Sequence, residues 1–199
     1  MNNIQFQINN LNAFMQTEVY ASLDEATRVA LVRKKVELCG NYFLKIAGNL
    51  NRNKYKGCFA PHKAVMILAV MDLVESRHIT TNVILLDREL KDKFKAVWQK
   101  VVPVGSPFHC DYRTPFAHLG SEPFWDLAND KGKASITSWE VLYAFSHTES
   151  RLAIKDYLVR SIREDTISDQ YQNEHPRINW MVAEDMLGII PLVSLMIAV

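Results

Sequence analysis

The sequence has few of the residues that mark unusual classes of protein. Its 199 residues include seven Gly and seven Pro, too few for a low-complexity or collagen-like chain. Cys39, Cys58 and Cys110 are odd in number and widely spaced, which argues against a disulfide framework and for a reducing compartment. The N-terminus, MNNIQFQINN, lacks the basic and apolar regions of a secretory signal. We therefore expect a cytoplasmic protein.

No charge of one sign dominates the chain, but charge is unevenly distributed along it. In total, 23 Lys and Arg side chains face 22 Asp and Glu, a formal net charge of +1. Residues 33–63 alone hold eight basic side chains and one acidic side chain, so this segment carries +7. Such asymmetry is typical of a protein with one anion-binding side, although a solvated helix face followed by a basic loop gives the same pattern.

The apolar content, 48% of residues, is enough for the core of one globular domain. The predicted fold is α+β, mostly helical with a small antiparallel sheet. Apolar spacing and capping residues predict helices over residues 23–48, 61–75, 88–101, 138–145 and 149–163, the first capped by Ser22 with Glu25. Strands are predicted over residues 82–86, 114–119, 123–127 and 134–137, with a hairpin turn at Gly120 and Ser121.

The first candidate site is an anion site at the start of the helix predicted over residues 61–75. Pro61, His62 and Lys63 open this helix, where free N–H groups and the positive end of the helix dipole favour an anion. Arg52, Lys54 and Lys56 would add positive charge from the preceding loop. The alternative is that His62 only caps the helix or packs against its start.

The second candidate site is the segment YRTPFAHL, residues 112–119. Pro115 cannot donate to a ladder, so the segment is predicted as an edge strand in which Thr114, Phe116 and His118 share a face. Such a strand can form a shallow cavity with apolar walls and polar margins. The aromatic residues nearby can equally belong to the core.

Catalytic and metal-binding patterns are weak. Cys58 with His62 and His109 with Cys110 are irregular pairs, and zinc needs three or four converging ligands. His109, Asn129 and His147 lie in three different elements, unlike the histidines of a ββα-metal nuclease. We therefore expect neither a metal nor a cofactor, and no catalytic residue.

The end of the chain differs from the rest. Residues 186–199, MLGIIPLVSLMIAV, are almost wholly apolar but are shorter than the roughly 20 residues of a membrane span. We divide the chain into a domain over residues 1–165 and an extension over residues 166–199, whose apolar tail packs on the domain or on a partner. No membrane association is expected.

Four segments together resemble the sulfur-binding domain family. APHKAVMILAVMDLV (residues 60–74), residues 82–98, PFAHLGSEPFW (residues 115–125) and the helix over residues 149–165 occur in the family's order. The resemblance covers about residues 20–165. Sulfur-binding domains form the N-terminal part of many bacterial HNH-type restriction endonucleases that act on phosphorothioate-modified DNA. This part recognises DNA, and the nuclease part of those enzymes is absent from this sequence.

The resemblance implies a module that grips duplex DNA and holds a backbone sulfur in a small apolar cavity. Pro115 and His118 match the cavity positions, while Thr114 stands where the family has Tyr, with Tyr112 close by. We expect the sulfur cavity to comprise Tyr112, Thr114, Pro115 and His118. Backbone phosphates are expected to meet Arg52, Lys54, Lys56, His62, Lys63, Arg113 and Lys131.

The predicted function is that of a non-catalytic module that binds phosphorothioate DNA in restriction or phage defence and recruits a separate nuclease. One alternative is a metal-dependent nuclease, or a subunit of one, that uses His109, Cys110 or His118. The other is a protein-interaction subunit that docks through residues 186–199. A homo-oligomer is compatible with each of these functions.

Overall fold

The computed structural model of the chain describes residues 3–128 and 132–166. In this part of the chain, eight α-helices accompany two small antiparallel sheets, which confirms the predicted α+β class. The helices are α1 (Asn3–Phe14), α2 (Glu18–Ser22), α3 (Glu25–Ala47), α4 (His62–Glu75), α5 (Arg88–Val101), α6 (Arg113–His118), α7 (Trp139–Ser146) and α8 (Thr148–Asp165). The strands are β1 (Lys54–Tyr55), β2 (Cys58–Phe59), β3 (Val83–Leu85), β4 (Trp125–Leu127) and β5 (Lys133–Ile136).

Helix α4 forms the centre of the core, as predicted. Ten of its fourteen residues are buried, because the stretch after His62 is apolar on every side. Helices α5, α6, α7 and α8 all pack against it. The start of α4 is therefore held firmly by the surrounding helices, and this fixes the position of His62 and Lys63.

Helix α3 confirms the predicted long amphipathic helix but begins with a different cap. The side chain of Asp24, not that of Ser22, accepts the hydrogen bond from the Thr27 N–H at 2.9 Å. Ser22 ends the short helix α2 instead. Asp24 lies directly before the first helical residue, where a carboxylate is among the best caps. The predicted Ser22 and Glu25 capping box is therefore wrong.

Helix α1 was not predicted from the sequence. It is rich in Asn and Gln, and within it only Ile8 is fully buried, with Ile4 and Leu11 half-buried on the same side. The spacing of these three residues places them on one helix face, which packs against α3. So narrow an apolar stripe is easily missed among polar residues.

The three-stranded sheet has the order β3–β5–β4, with all neighbours antiparallel. The predicted strands over residues 82–86, 123–127 and 134–137 are confirmed as β3, β4 and β5. The predicted hairpin between residues 114–119 and 123–127 is wrong, because β4 pairs with β5 instead.

The segment predicted as a strand over residues 114–119 instead forms most of helix α6, which is followed by a 3₁₀ turn at Leu119–Ser121. Pro115 lies in the first turn of α6, where its missing N–H needs no partner. Phe116 and Leu119 are buried, and the Phe116 ring meets that of Trp125 edge to face at 5.4 Å. The apolar residues thus follow a spacing of three, which fits a helix and not a strand.

Within residues 3–128 and 132–166, no helix combines the length and the apolarity needed to cross a membrane. Lys131, the apolar tail over residues 186–199 and nearly all of the predicted extension lie outside the described residues. The helices predicted over residues 138–145 and 149–163 are confirmed as α7 and α8.

Candidate functional site

A cavity of about 170 Å³ lies between the start of α4, the loop before α6, and α6 itself. Two other cavities, of about 430 and 200 Å³, contain none of the predicted site residues. The cavity of about 170 Å³ brings together five predicted site residues from two separate parts of the sequence. Its lining consists of Asn51, Asn53, Ala60, His62, Lys63, Phe108, Asp111, Thr114, Pro115 and His118.

Helix α6 contributes Thr114, Pro115 and His118 to this cavity. Residues separated by three or four positions share a helix face, so the correction from strand to helix keeps these three side chains together. Pro115 is buried, whereas Thr114 and His118 are exposed. The cavity thus has an apolar pyrrolidine ring in its wall and polar groups at its mouth.

His62 is fixed in the opposite wall. Its Nε2–H donates to the His109 carbonyl oxygen at 2.7 Å, and its ring lies 4.8 Å from that of Trp98 and 5.9 Å from that of Phe108. Burial lowers the pKa of the imidazole, against the opposing effects of the His109 carbonyl and the Asp111 carboxylate. The predicted packing of His62 at the helix start is therefore present, and the ring is neutral at pH 7.

Lys63 does not face solvent. Its ammonium lies 2.5 Å from Glu122 Oε1 and 2.9 Å from Ser121 Oγ, and both charged side chains are less than a tenth exposed. The same Glu122 oxygen accepts the Asn51 N–H at 3.1 Å. A contact between Lys63 and DNA phosphate would have to replace this buried ion pair.

Asp111 was not predicted from the sequence. Its carboxylate accepts hydrogen bonds from the Arg113 N–H at 3.0 Å and from the Thr114 hydroxyl. The Thr114 hydroxyl contributes most to holding the pKa of Asp111 below its usual value, so the group carries a full negative charge at pH 7. The spacing of an Asp three residues before a Thr at a helix start is the signal that could have identified it.

Three of the polar side chains that line the cavity already donate to protein partners. His62 donates to the His109 carbonyl, Thr114 to Asp111, and Lys63 to Glu122 and Ser121. Pro115 has no N–H to donate. An oxygen atom placed against these side chains would therefore lose its hydration without gaining a donor from them.

Tyr112, predicted as part of the cavity, does not line it. Its hydroxyl accepts from Arg113 Nε at 3.2 Å, and the Lys91 ammonium lies 5.9 Å from its ring. Phe108 supplies the aromatic wall instead. Because Phe108 lies in the irregular segment between α5 and α6, no periodic pattern indicated its direction.

Beside the cavity, β1 and β2 form a short hairpin, with Lys54 paired with Phe59. Lys56 and Gly57 form its turn, and both have positive φ, 48° and 82°, as a tight primed turn requires. Lys54, Tyr55 and Lys56 are exposed. The segment predicted as a loop is therefore a hairpin, and two of the lysines predicted to contact phosphate, Lys54 and Lys56, lie exposed on it.

Arg52 anchors this hairpin. Its guanidinium lies 2.8 Å from the Asp165 carboxylate and 5.0 Å from the centre of the Phe59 ring. The hairpin is also closed by the Ala60 N–H, which donates to the Asn53 carbonyl at 2.8 Å. Arg52 thus has a structural partner, and the hairpin is held to the end of α8.

The folded chain disperses the basic segment over residues 33–63. Lys34 pairs with Glu37 at 2.9 Å, Arg52 pairs with Asp165 and Lys63 pairs with Glu122. Arg33 and Lys45 are separated along α3 by about 18 Å. The segment therefore does not form one continuous basic face. Lys63 lines the cavity but is paired, and the exposed lysines Lys54 and Lys56 lie on the hairpin whose flanking residues Asn53 and Ala60 line it.

Potential metal ligands do not converge in the described residues. Across residues 3–128 and 132–166, no group of three or more His, Cys, Asp and Glu side chains is arranged to hold a metal ion. Cys58 is buried in β2 and Cys110 is exposed, with a pKa raised chiefly by partial desolvation. Asn129, the middle member of the His, Asn, His series, lies outside these residues.

Comparison with other proteins adds no family assignment. No protein-family model matches the chain, and no curated protein matches it significantly.

Proposed function

We propose that this protein is a non-catalytic module that binds duplex DNA and recognises a phosphorothioate linkage, as sulfur-binding domains do. The observation that carries the proposal is the cavity in which Pro115 and His118 lie together, in a wall whose His62, Lys63 and Thr114 donors are already occupied. These are the positions that the family resemblance assigns to the sulfur.

The chemistry of the wall favours sulfur over oxygen. A phosphorothioate keeps one negative charge, but its sulfur is larger, more polarisable and less strongly hydrated than oxygen. A site that offers few hydrogen bonds costs sulfur less desolvation energy than it costs oxygen. Preference then arises from poor accommodation of the wrong atom, which is a common source of specificity.

The hairpin supplies the contacts that position DNA. Lys54 and Lys56 are exposed on a hairpin whose flanking residues Asn53 and Ala60 line the cavity, and Arg113 is exposed at the start of α6. Phosphate contacts from such side chains fix the register of a protein on the duplex and make binding salt-dependent, without reading sequence. Because the buried lysine Lys63 is paired with Glu122, we assign it to holding the cavity wall rather than to phosphate.

In this proposal the protein acts in the bacterial cytoplasm, in restriction or phage defence, and a separate nuclease cleaves the bound DNA. Lys131 remains a predicted phosphate contact. The apolar tail over residues 186–199 is the segment we propose for docking the partner.

Binding to three matched duplexes tests the proposal. The duplexes have one sequence and carry ordinary phosphate, an Rp phosphorothioate or an Sp phosphorothioate at one linkage, and affinity is measured by fluorescence anisotropy. The cavity approaches the linkage from one side, so we expect one diastereomer to bind about tenfold or more tightly than the other two duplexes. Equal affinities for all three duplexes would overturn the sulfur claim.

A nicking assay tests the non-catalytic part of the proposal. Modified plasmid is incubated with the protein and Mg²⁺, Mn²⁺ or Zn²⁺, and strand breaks are counted on a gel. We expect no nicking above the protein-free control. Nicking that requires a metal ion would instead support the metal-dependent nuclease.

A further inference from the structure

Asp111 is the charged group of the cavity wall that has no cationic partner among the described residues. Its carboxylate accepts hydrogen bonds from a backbone N–H and a hydroxyl, those of Arg113 and Thr114. Lys63, in contrast, is neutralised by Glu122. The wall therefore has a net negative charge at the place where the proposed ligand, also an anion, would enter.

The groups that face this carboxylate from the neighbouring elements do not cancel its charge. From α4 comes His62, whose ring is held by the His109 carbonyl, and from α6 come Thr114 and the exposed His118. Phe108 contributes an uncharged ring from the loop before α6. The Arg113 guanidinium is turned to Tyr112, where its Nε–H donates to the phenol oxygen.

An ionised carboxylate can only accept hydrogen bonds. A phosphate oxygen next to it gains no donor to replace the water it has lost, and the two like charges repel each other. Sulfur is a weaker acceptor and loses less hydration, so the lack of a donor costs it less. The repulsion acts on both linkages, but the lack of a donor penalises ordinary phosphate more than phosphorothioate.

We infer that Asp111 is a specificity-determining residue, which excludes ordinary phosphate from the cavity. This inference rests on the proposed function, since it concerns how the proposed site chooses between sulfur and oxygen. The inference predicts that Asp111 lowers the affinity of the wild-type protein for all DNA and increases its preference for the modified linkage.

The test compares Asp111→Asn and Asp111→Ser with the wild type on the three matched duplexes. Both substitutions remove the charge and supply a donor, and both side chains keep an oxygen that can accept the N–H of the residue two positions on, here Arg113. Removal of one like charge about 4 Å away in water is worth about fivefold for both kinds of duplex, because a phosphorothioate carries the same charge as a phosphate. Ordinary DNA gains in addition the hydrogen bond from the new donor. The favoured phosphorothioate duplex should gain less, so the preference should fall.

Asp126→Asn is the matched control, because Asp126 is an exposed acid of β4 that does not line the cavity. It removes the same charge from the protein and should leave the preference unchanged. A wild-type protein without any preference would overturn the proposed function and this inference with it. A wild-type preference that survives both Asp111 substitutions, relative to Asp126→Asn, would overturn the inference alone.

Discussion

The hairpin and the cavity are neighbours, but they differ in the sign and the exposure of their charged side chains. On the hairpin, Lys54 and Lys56 are exposed, while within the cavity Lys63 is buried against Glu122 and the uncompensated charge is that of Asp111. Exposed lysines attract any phosphate chain. A wall without available positive charge attracts none and can discriminate by hydration. In the proposed function, this difference separates two tasks, affinity at the hairpin and specificity in the cavity.

Removal of the Glu122 carboxylate should have the largest effect, on stability. Glu122→Ala leaves the Lys63 ammonium buried without its charge partner, so the free energy of unfolding should fall by about 3 to 5 kcal/mol. Urea denaturation measures this. Lys34→Ala, which removes an exposed ion pair with Glu37, should cost less than about 1 kcal/mol. Similar losses in the two variants would mean that Lys63 is not held as described.

Pro115→Ala should act on specificity alone. Alanine is accepted at this helical position, but the loss of the ring removes apolar contact with the proposed sulfur. The preference between modified and ordinary duplex should fall by about fivefold, the value of little more than one buried methylene. Anisotropy on the matched duplexes gives the ratio. An unchanged ratio would remove Pro115 from the proposed sulfur site.

Substitution of the hairpin lysines should act on affinity alone. Lys54→Ala and Lys56→Ala should each weaken modified and ordinary duplexes equally, by about threefold at moderate salt for one lost phosphate contact. The slope of log Kd against log salt should decrease by about 0.9 for each contact. Lys100→Ala, an exposed lysine of α5, is the control. A change confined to one duplex would contradict the division of tasks.

The smallest effect should be a pH dependence that originates at His62. Burial lowers its pKa in the folded protein, so the unfolded chain binds more protons between that value and 6.5. The contribution of His62 to the free energy of unfolding is therefore complete above the pKa that His62 has in the unfolded chain. This contribution decreases as the pH falls below that pKa. Urea midpoints between pH 7.5 and 5.5 should show a smaller decrease in His62→Gln than in the wild type. His118→Gln, exposed at the mouth, should keep the wild-type decrease.

Much of the fold follows from local patterns in the sequence. The apolar face of α5 and the continuous apolar run of α4 each predict their helix because one segment contains the whole signal. Helix α6 was mistaken for a strand because Pro115 suggests an edge. The decision depends instead on where Phe116 and Leu119 find their core partners.

The candidate site was predictable in part. Pro115, His118, His62 and Lys63 were identified from two separate motifs, and their meeting in one cavity was not. Phe108 and Asp111 were missed because they lie in a segment without periodic structure, where a residue's direction depends on the packing around it. Sulfur-binding domains have a Tyr in the cavity, and Tyr112 does not take that place here. It does not line the cavity, and its hydroxyl accepts a hydrogen bond from Arg113 Nε.

Composition and periodicity determined the class of fold, the central helix and the presence of a basic segment, because these are properties of neighbouring residues in one chain. Whether each charged side chain is paired or exposed depends on the tertiary structure. Arg52 and Lys63 found acidic partners that are distant in sequence, Lys54 and Lys56 stayed exposed, and Asp111 kept its charge in a cavity wall. Charge can be counted along a sequence, but its pairing and its desolvation depend on contacts between elements that only the packed molecule brings together.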